Sequence, residues 1–311
     1  MMLRRFSIVA LLLLTLSSTG CLFRSRRIPQ VTSASAKTAT LDELLQFLNR
    51  QAAAMHTLNA TVDIDTSVGG STKGKITEYQ QIRGYVLVRN PQMLRMIGLF
   101  PIVRNRAFDM VSDGSSFKLS IPAKNKFVVG SNEITQPSPN ALENLRPQVI
   151  HDALLLRPPN PQNEIAVLEN ATELVPQPKS KKQVQEAEYL VDIIVRGDKG
   201  WYLARKIIFS RADLLPYRQF IYDRNGWIAT DVRYNQFKDV NGVQFPYDID
   251  IWRPQEEYSV GITVVKLTLN EPLSDDQFVL NQPAGSQLVT LGPSSATSSS
   301  LQSGGNGDKR R

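Results

Sequence analysis

The sequence predicts an α+β protein: one large, curved antiparallel sheet of about eleven strands, part-covered by helices that leave a hydrophobic cavity between them. Three observations predict it. Apolar and polar residues alternate at period two through most of the chain, with turn signals such as Asp113-Gly114 and Asn241-Gly242 between the runs. Helical periodicity is confined to two stretches, Leu41–Leu58 and Asn140–Leu156. Nowhere do strands alternate with crossover helices as a parallel sheet requires. A sheet of that size has to curl, and two or three helices are too few to fill the concave apolar face that curling creates.

The chain opens with Arg4 and Arg5, followed by an apolar run from Phe6 to Leu16 broken only by Ser7 and Thr15. That run is about half the roughly 20 residues needed to cross a bilayer. A basic start, a short apolar middle and small residues after it describe an export signal. Ser17-Ser18-Thr19-Gly20 leads to Cys21, the only cysteine. A cysteine directly after Gly20 resembles the lipobox of bacterial lipoproteins, although Ser18 stands where that motif usually has leucine. The resemblance implies that residues 1–20 are a signal peptide and that Cys21 is lipidated at the new amino terminus. An unpaired exported thiol is otherwise hard to account for. Two or more acyl chains give a stable anchor where one would be reversible.

Of 311 residues, 41% are hydrophobic and 21% charged, enough for a sizeable core. Lys and Arg number 36 against 29 acids, a net charge of +7; removing Arg4 and Arg5 leaves +5. Much of the excess is terminal, in Arg24, Arg26 and Arg27 and in Lys309, Arg310 and Arg311. Such runs fit solvated ends, or for the first cluster a contact with anionic head groups at roughly 1 kcal/mol per charge. No basic-aromatic motif suggests nucleic acid.

Residues 21–40 are Ser-, Ala- and Thr-rich and read as a flexible tether. Thr40 precedes Glu43 by the spacing of a capping box, and Leu41, Leu44, Leu45 and Leu48 then form a helical stripe. From Asn59 the period becomes two: Ala60, Val62 and Ile64 alternate with Thr61, Asp63 and Asp65. After a turn at Gly69-Gly70 a long strand runs to about Arg89, with Val86 and Val88 on one face and Tyr85 and Leu87 on the other; Pro91 interrupts it. Met93–Ile97, Phe108 and Met110, Phe117 and Leu119, then Phe127–Val129 complete the first set of strands. Leu142, Leu145, Val149 and Leu154 mark a second helix that Pro147 should kink or split. Residues 157–180, rich in Pro and Asn apart from a short apolar patch at Ile165–Leu168, read as a loop able to carry one strand. The second half is hairpins: Tyr189, Val191, Ile193 and Val195 on one strand, Trp201, Leu203 and Ile207 on the next, and further alternations to Val264. Residues 41–285 thus form the folded domain, and 286–311, Ser- and Gly-rich, a disordered tail.

No catalytic constellation is present. His56 and His151 lack Cys, His or paired acids at metal-ligand spacing and read as ordinary core or surface histidines. There is no G-x-S-x-G or H-E-x-x-H. Gly69–Gly74 lacks phosphate-loop order and reads as a hairpin tip. The reading is therefore not an enzyme, with no cofactor and no metal.

Four segments carry a family resemblance. Gly84-Tyr85-Val86-Leu87-Val88-Arg89-Asn90-Pro91, Val111-Ser112-Asp113-Gly114, the strand Phe117–Pro122, and Phe278–Gly285 are similar, in order and spacing, to segments of the LolA/LolB-like bacterial lipoprotein-localisation superfamily. The resemblance implies an incomplete antiparallel β-barrel with a helical lid, whose cavity holds the acyl chains of other lipoproteins. It implies a lid contact for Arg89, with Asn90 inserted before the proline. It also implies a membrane-contact loop at Leu99, Phe100, Pro101 and Ile102. That loop can be argued from its composition as well: Leu99, Phe100, Ile102 and Val103 around a proline would expose an apolar patch, and Arg95, Arg104 and Arg106 flank it. The alternative is that Leu99 and Phe100 tuck into the core.

Strand alternation nominates Val62, Ile64, Val86, Val88, Phe108, Met110, Phe117, Leu119, Val191 and Ile193 as cavity lining. Leu22 after the cysteine, rather than the aspartate that marks inner-membrane retention in enteric bacteria, favours the outer membrane. The sequence thus reads as a periplasm-facing, lipid-anchored outer-membrane lipoprotein. Its expected partners are acyl chains, the membrane through its anchor, and a periplasmic LolA-like carrier; nucleic acid is not expected, and a monomer is. An envelope sensor or scaffold of the same fold, binding a protein through a sheet edge or hairpins, is the alternative.

Overall fold

In the computed structural model the described residues are 32–33, 35–72, 74–132, 146–176, 183–197 and 200–291. Cys21, the export signal, most of the tether and the last twenty residues lie outside them. The elements in chain order are β1 (Thr32–Ser33), α1 (Leu41–Ala54), β2 (Thr57–Gly70), β3 (Lys75–Glu78), β4 (Ile82–Arg89), β5 (Met93–Leu99), β6 (Arg106–Ser112), β7 (Ser116–Ile121) and β8 (Lys126–Ser131). There follow α2 (Pro147–Leu154), β9 (Glu164–Pro176), β10 (Gln183–Gly197), β11 (Gly200–Ser210), β12 (Pro216–Tyr222), β13 (Ile228–Val240), β14 (Val243–Arg253), β15 (Tyr258–Leu269) and β16 (Gln287–Leu291).

All sixteen strands described join one sheet. It runs β10 to β15 by successive hairpins, crosses to β2, and continues through β4 to β8. β9 pairs with β10 at one margin and β16 lies parallel to β8 at the other. No ladder joins those margins among the described residues, so the sheet is curved but open. The expectation of about eleven strands is too low. Part of the difference is traceable: the long strand ending at Arg89 is broken into β3 and β4, the short β1 forms in the stretch expected to be a flexible tether, and β16 lies beyond Gly285, where a disordered tail was expected. β9 forms where the loop was read as able to carry one strand.

Alternation works as the sequence implies on the inner face. Val62, Ile64, Val86, Val88, Met110, Phe117 and Leu119 share one buried cluster with Val260 and Ile262 of β15 and Ile249 and Ile251 of β14. The two flanks of the sheet therefore face each other. Between them lies α2, contributing Ile150, Ala153 and Leu154. Burying a side chain of this kind contributes about 1.5–3 kcal/mol, so the closure is driven by the apolar set itself. Gly84 permits the close approach of β4 and β5: a Cβ there would lie 2.6 Å from the Ile97 carbonyl oxygen.

α1 forms a second cluster, with Leu44 and Leu48 on Tyr189, Val191, Ile193, Ile207 and Phe209 of β10 and β11. Its start is the capping box read from sequence: Glu43 N–H donates to Thr40 Oγ1 (3.3 Å) and Thr40 N–H to Glu43 Oε2 (2.7 Å). It stops at Ala54, short of Leu58, because Leu58 is taken into β2 opposite Val88 and Leu269. Asn270 closes that end, its side chain donating to Ala54 O (2.9 Å) and accepting from His56 N–H (2.8 Å). α2 begins at Pro147 rather than being kinked by it, since a first-turn proline lacks only an N–H that has no helical partner anyway. Residues 140–145, expected in the same helix, lie outside the described residues.

The outer face differs between the two flanks. On β5–β8 it is covered by the segment from Leu273 to Leu280, with Val111, Phe127 and Leu280 forming a small third cluster. Two arginines pin this strap. Arg95 donates to Gln277 O (2.9 Å) and bridges Asp109 with both ends of its guanidinium (3.0 and 2.8 Å). Arg89 donates to Leu273 O (3.1 Å) and Asp275 Oδ1 (2.7 Å) and stacks on Phe278. The flank β12–β14 instead shows a polar outer face, including Arg218 paired with Asp231 (2.7 Å).

Candidate functional site

Where the two helices meet the sheet they leave a cavity of about 540 Å3. Such a volume lies within the roughly 300–1,000 Å3 usual for small-molecule sites. Five sequence-distant segments build it. α1 and its C-cap supply Phe47, Leu48, Gln51 and Met55, the β4–β5 turn supplies Asn90, Pro91 and Gln92, and β12 supplies Pro216. α2 and the residues after it supply Gln148, His151, Asp152 and Leu154–Arg157, and β13–β14 supply Tyr234, Phe237, Val243, Phe245 and Pro246. Apolar side chains make most of this wall.

The framework around the cavity is tied by polar contacts. Gln244 N–H donates to Gln51 Oε1 (2.8 Å), fixing α1 to β14. Gln219 Nε2 donates to Tyr234 Oη (3.3 Å) and to Asp152 O (3.4 Å), fixing α2 to the inner face. Burial pushes the Tyr234 hydroxyl well above its ordinary range, so it stays protonated. At the end of α2, Arg157 holds Glu164 with two hydrogen bonds (2.9 and 2.6 Å) and Arg205 approaches the same carboxylate (3.3 Å). Burial pushes the Arg205 guanidinium down to about 10, with repulsion from Arg157 adding to it. Burial alone would raise the Glu164 carboxyl; the bonds from Arg157 and Asn160 outweigh it and hold it below its ordinary value.

The strand residues nominated for the cavity lie elsewhere. Val62, Ile64, Val86, Val88, Met110, Phe117 and Leu119 are buried in the filled core between the flanks, with Phe108 packed at its margin. Val191 and Ile193 lie under α1. Arg89, given a lid contact by resemblance, instead engages the strap on the outer face. The loop after β5 turns back on itself, with Phe100 N–H donating to Asn105 O (2.9 Å) and Arg104 N–H to Phe100 O (3.1 Å). Leu99, Phe100 and Pro101 line a shallow hollow of about 400 Å3 with Arg83 and Tyr85. Ile102, 93% exposed, and Val103, 65% exposed, form the tip.

Sequence reasoning missed Phe237, Phe245 and the Gln148-His151-Asp152 face. The spacing of 148, 151 and 152 was an available signal, since it places three polar groups together on a helix otherwise apolar.

Chemically, the cavity offers a largely apolar surface with room for a small molecule. No nucleophile and base converge in it, and no group of three His, Cys, Asp or Glu among the described residues could hold a metal ion. No described helix is long and apolar enough to cross a membrane.

The described residues define a large, curved, open antiparallel sheet with two helices packed on it. No protein-family model and no curated protein matches the chain. Among solved structures it is similar to a LolA superfamily protein from Nitrosomonas europaea, at 14% identity and TM-score 0.49, covering 78% of this chain and 99% of the other. It is also similar to a DUF1329 family protein from Desulfovibrio piger (14%, TM-score 0.48, 78% and 98%). An outer membrane lipoprotein-sorting protein domain from Vibrio parahaemolyticus matches at 13%, TM-score 0.45, over 75% and 95%.

Proposed function

We propose that this chain is a LolA/LolB-like lipoprotein, anchored through Cys21 to the periplasmic face of the outer membrane, that accepts the acyl chains of other lipoproteins and assists their delivery to the bilayer. The observation that carries the reading is the cavity of about 540 Å3 walled by Phe47, Leu154, Leu155, Phe237, Val243 and Phe245. Each methylene moved into it contributes about 0.8 kcal/mol, so acyl chains can be taken from a carrier such as a LolA-like protein without covalent chemistry. The tip residues Ile102 and Val103 would touch the membrane, with Leu99, Phe100 and Pro101 behind them.

Photo-labelling tests the binding. A diazirine-bearing hexadecyl probe should cross-link, saturably, to peptides containing Leu155 and Phe245. Labelling that is unsaturable, or confined to the outer face, would remove the basis of the proposal.

A further inference from the structure

One part of the cavity wall does not suit hydrocarbon. Gln148, His151 and Asp152 share one face of α2 and all line the cavity. His151 is 6% exposed, and neither ring nitrogen makes a hydrogen bond among the described residues. Its Nδ1 lies 3.5 Å from Asp152 Oδ1, within ion-pair range but without hydrogen-bond geometry. Gln148 Nε2 donates to Asp152 Oδ1 (2.7 Å), which aims the other end of the amide away; that Oε1 is buried and accepts nothing. Buried polar atoms are nearly always paired, because leaving them unpaired destabilises the fold. These three unpaired atoms lie just behind the cavity wall with almost no surface open to it, so a partner from outside the chain meets them as the Gln148 and His151 side chains turn toward the cavity.

The charge around them narrows what it is. Arg157, the one guanidinium on this wall, is occupied by both oxygens of Glu164. Asp152 therefore presents a carboxylate to the cavity with no arginine or lysine in salt-bridge contact among the described residues. An anionic head group would be repelled there.

Resting on the binding reading above, we infer that Gln148, His151 and Asp152 select ligands whose acyl chain ends in an uncharged group able both to donate and to accept a hydrogen bond, an amide or a hydroxyl, and exclude free carboxylates and phosphates. An amide N–H would donate to Gln148 Oε1 and its carbonyl would accept from the His151 ring, satisfying the orphaned atoms. The three are specificity-determining residues, not catalytic ones.

The test uses the full chain in lipid nanodiscs and three diazirine probes of equal length: hexadecanamide, hexadecanol and hexadecanoic acid. Half-maximal labelling of the Leu155 and Phe245 peptides should come at roughly 10-fold lower concentration for amide and alcohol than for acid, the ratio one charge-assisted discrimination supplies. In Asp152→Asn, where the excluding carboxylate is gone, that ratio should fall to about two or less, and in Gln148→Met/His151→Leu amide and alcohol should need roughly 10-fold higher concentration because their hydrogen-bonding partners are gone. Trp227→Ala, on an exposed turn, should leave the ratio unchanged. If the double variant does not fold, the near-isosteric Gln148→Met alone carries the comparison. Equal labelling by all three probes overturns the inference and leaves the binding proposal standing. So does an Asp152→Asn variant that keeps the preference, or a Gln148→Met/His151→Leu variant that labels with amide and alcohol as the unaltered chain does. No saturable labelling by any probe overturns the binding proposal itself.

Discussion

Asp113 shows how much one side chain can organise. Its Oδ1 accepts from Ser115 N–H (2.9 Å) and Ser116 N–H (2.7 Å), while Oδ2 accepts from the Ser116 hydroxyl (2.9 Å). Gly114 follows at φ 93°, which few other residues adopt. The bond from the Ser116 amide, the largest effect, holds the carboxyl below its ordinary 3.8. A value lowered by folding stabilises the protein above the unfolded value, and that contribution is lost as pH falls through the folded one. The difference in unfolding free energy between the protein and Asp113→Asn should therefore be about 0.5–1 kcal/mol near neutrality, after solvent screening, and shrink below about pH 4. Urea titrations across that range measure it; a difference independent of pH would show that charge is irrelevant to the turn. This turn was legible because every partner is within three residues. Asp109, 1% exposed, was not, since its burial depends on Arg95 from the next strand and on the strap from Gln277.

At the scale of elements, the failures of sequence reading share a cause. On β11 the sequence places Trp201, Leu203 and Ile207 on one face, but the register shifts opposite Ile193/Ile194 and skips Ala204. That extra residue turns Trp201 outward, half exposed, while Ile207 stays buried. β9 and β16 are margin strands, paired on one side only, so neither needs the strict alternation that betrays a central strand. β16 nevertheless matters: Val289 and Leu291 pack against the main core and the strand covers the edge of β8. A chain ended after Ser286 should melt several degrees lower and self-associate through the bared edge, as thermal unfolding and light scattering would register. An unchanged melt with a monomeric particle would make β16 dispensable.

For the whole molecule, the fold class was readable because hairpins and periodicity are local, while the cavity was not, because its walls come from segments some two hundred residues apart. The inner-face residues picked from alternation, Phe108 apart, are fully buried, and for that reason they fill space rather than line it. The loop after β5 is the opposite case: composition pointed to it, and its tip stands clear of the sheet. Ile102→Asp with Val103→Asp, in a chain carrying Cys21→Ser so that no anchor intervenes, should bind vesicles containing anionic lipid at least about 10-fold more weakly with an unaltered unfolding midpoint. Equal vesicle binding by both chains would rule out membrane contact there.

The strap has a consequence for the order in which the chain is made. Synthesis proceeds from the amino end, so β4 to β8 emerge early, with Val111 and Phe127 turned outward. Their cover, Phe278 and Leu280, is among the last described segments to appear. β2 likewise waits for β15, whose Ser259 meets Ser67 across 192 positions. For most of its synthesis this protein is an unfinished sheet, greasy on both sides, and its dependence on protection from aggregation should be greatest then.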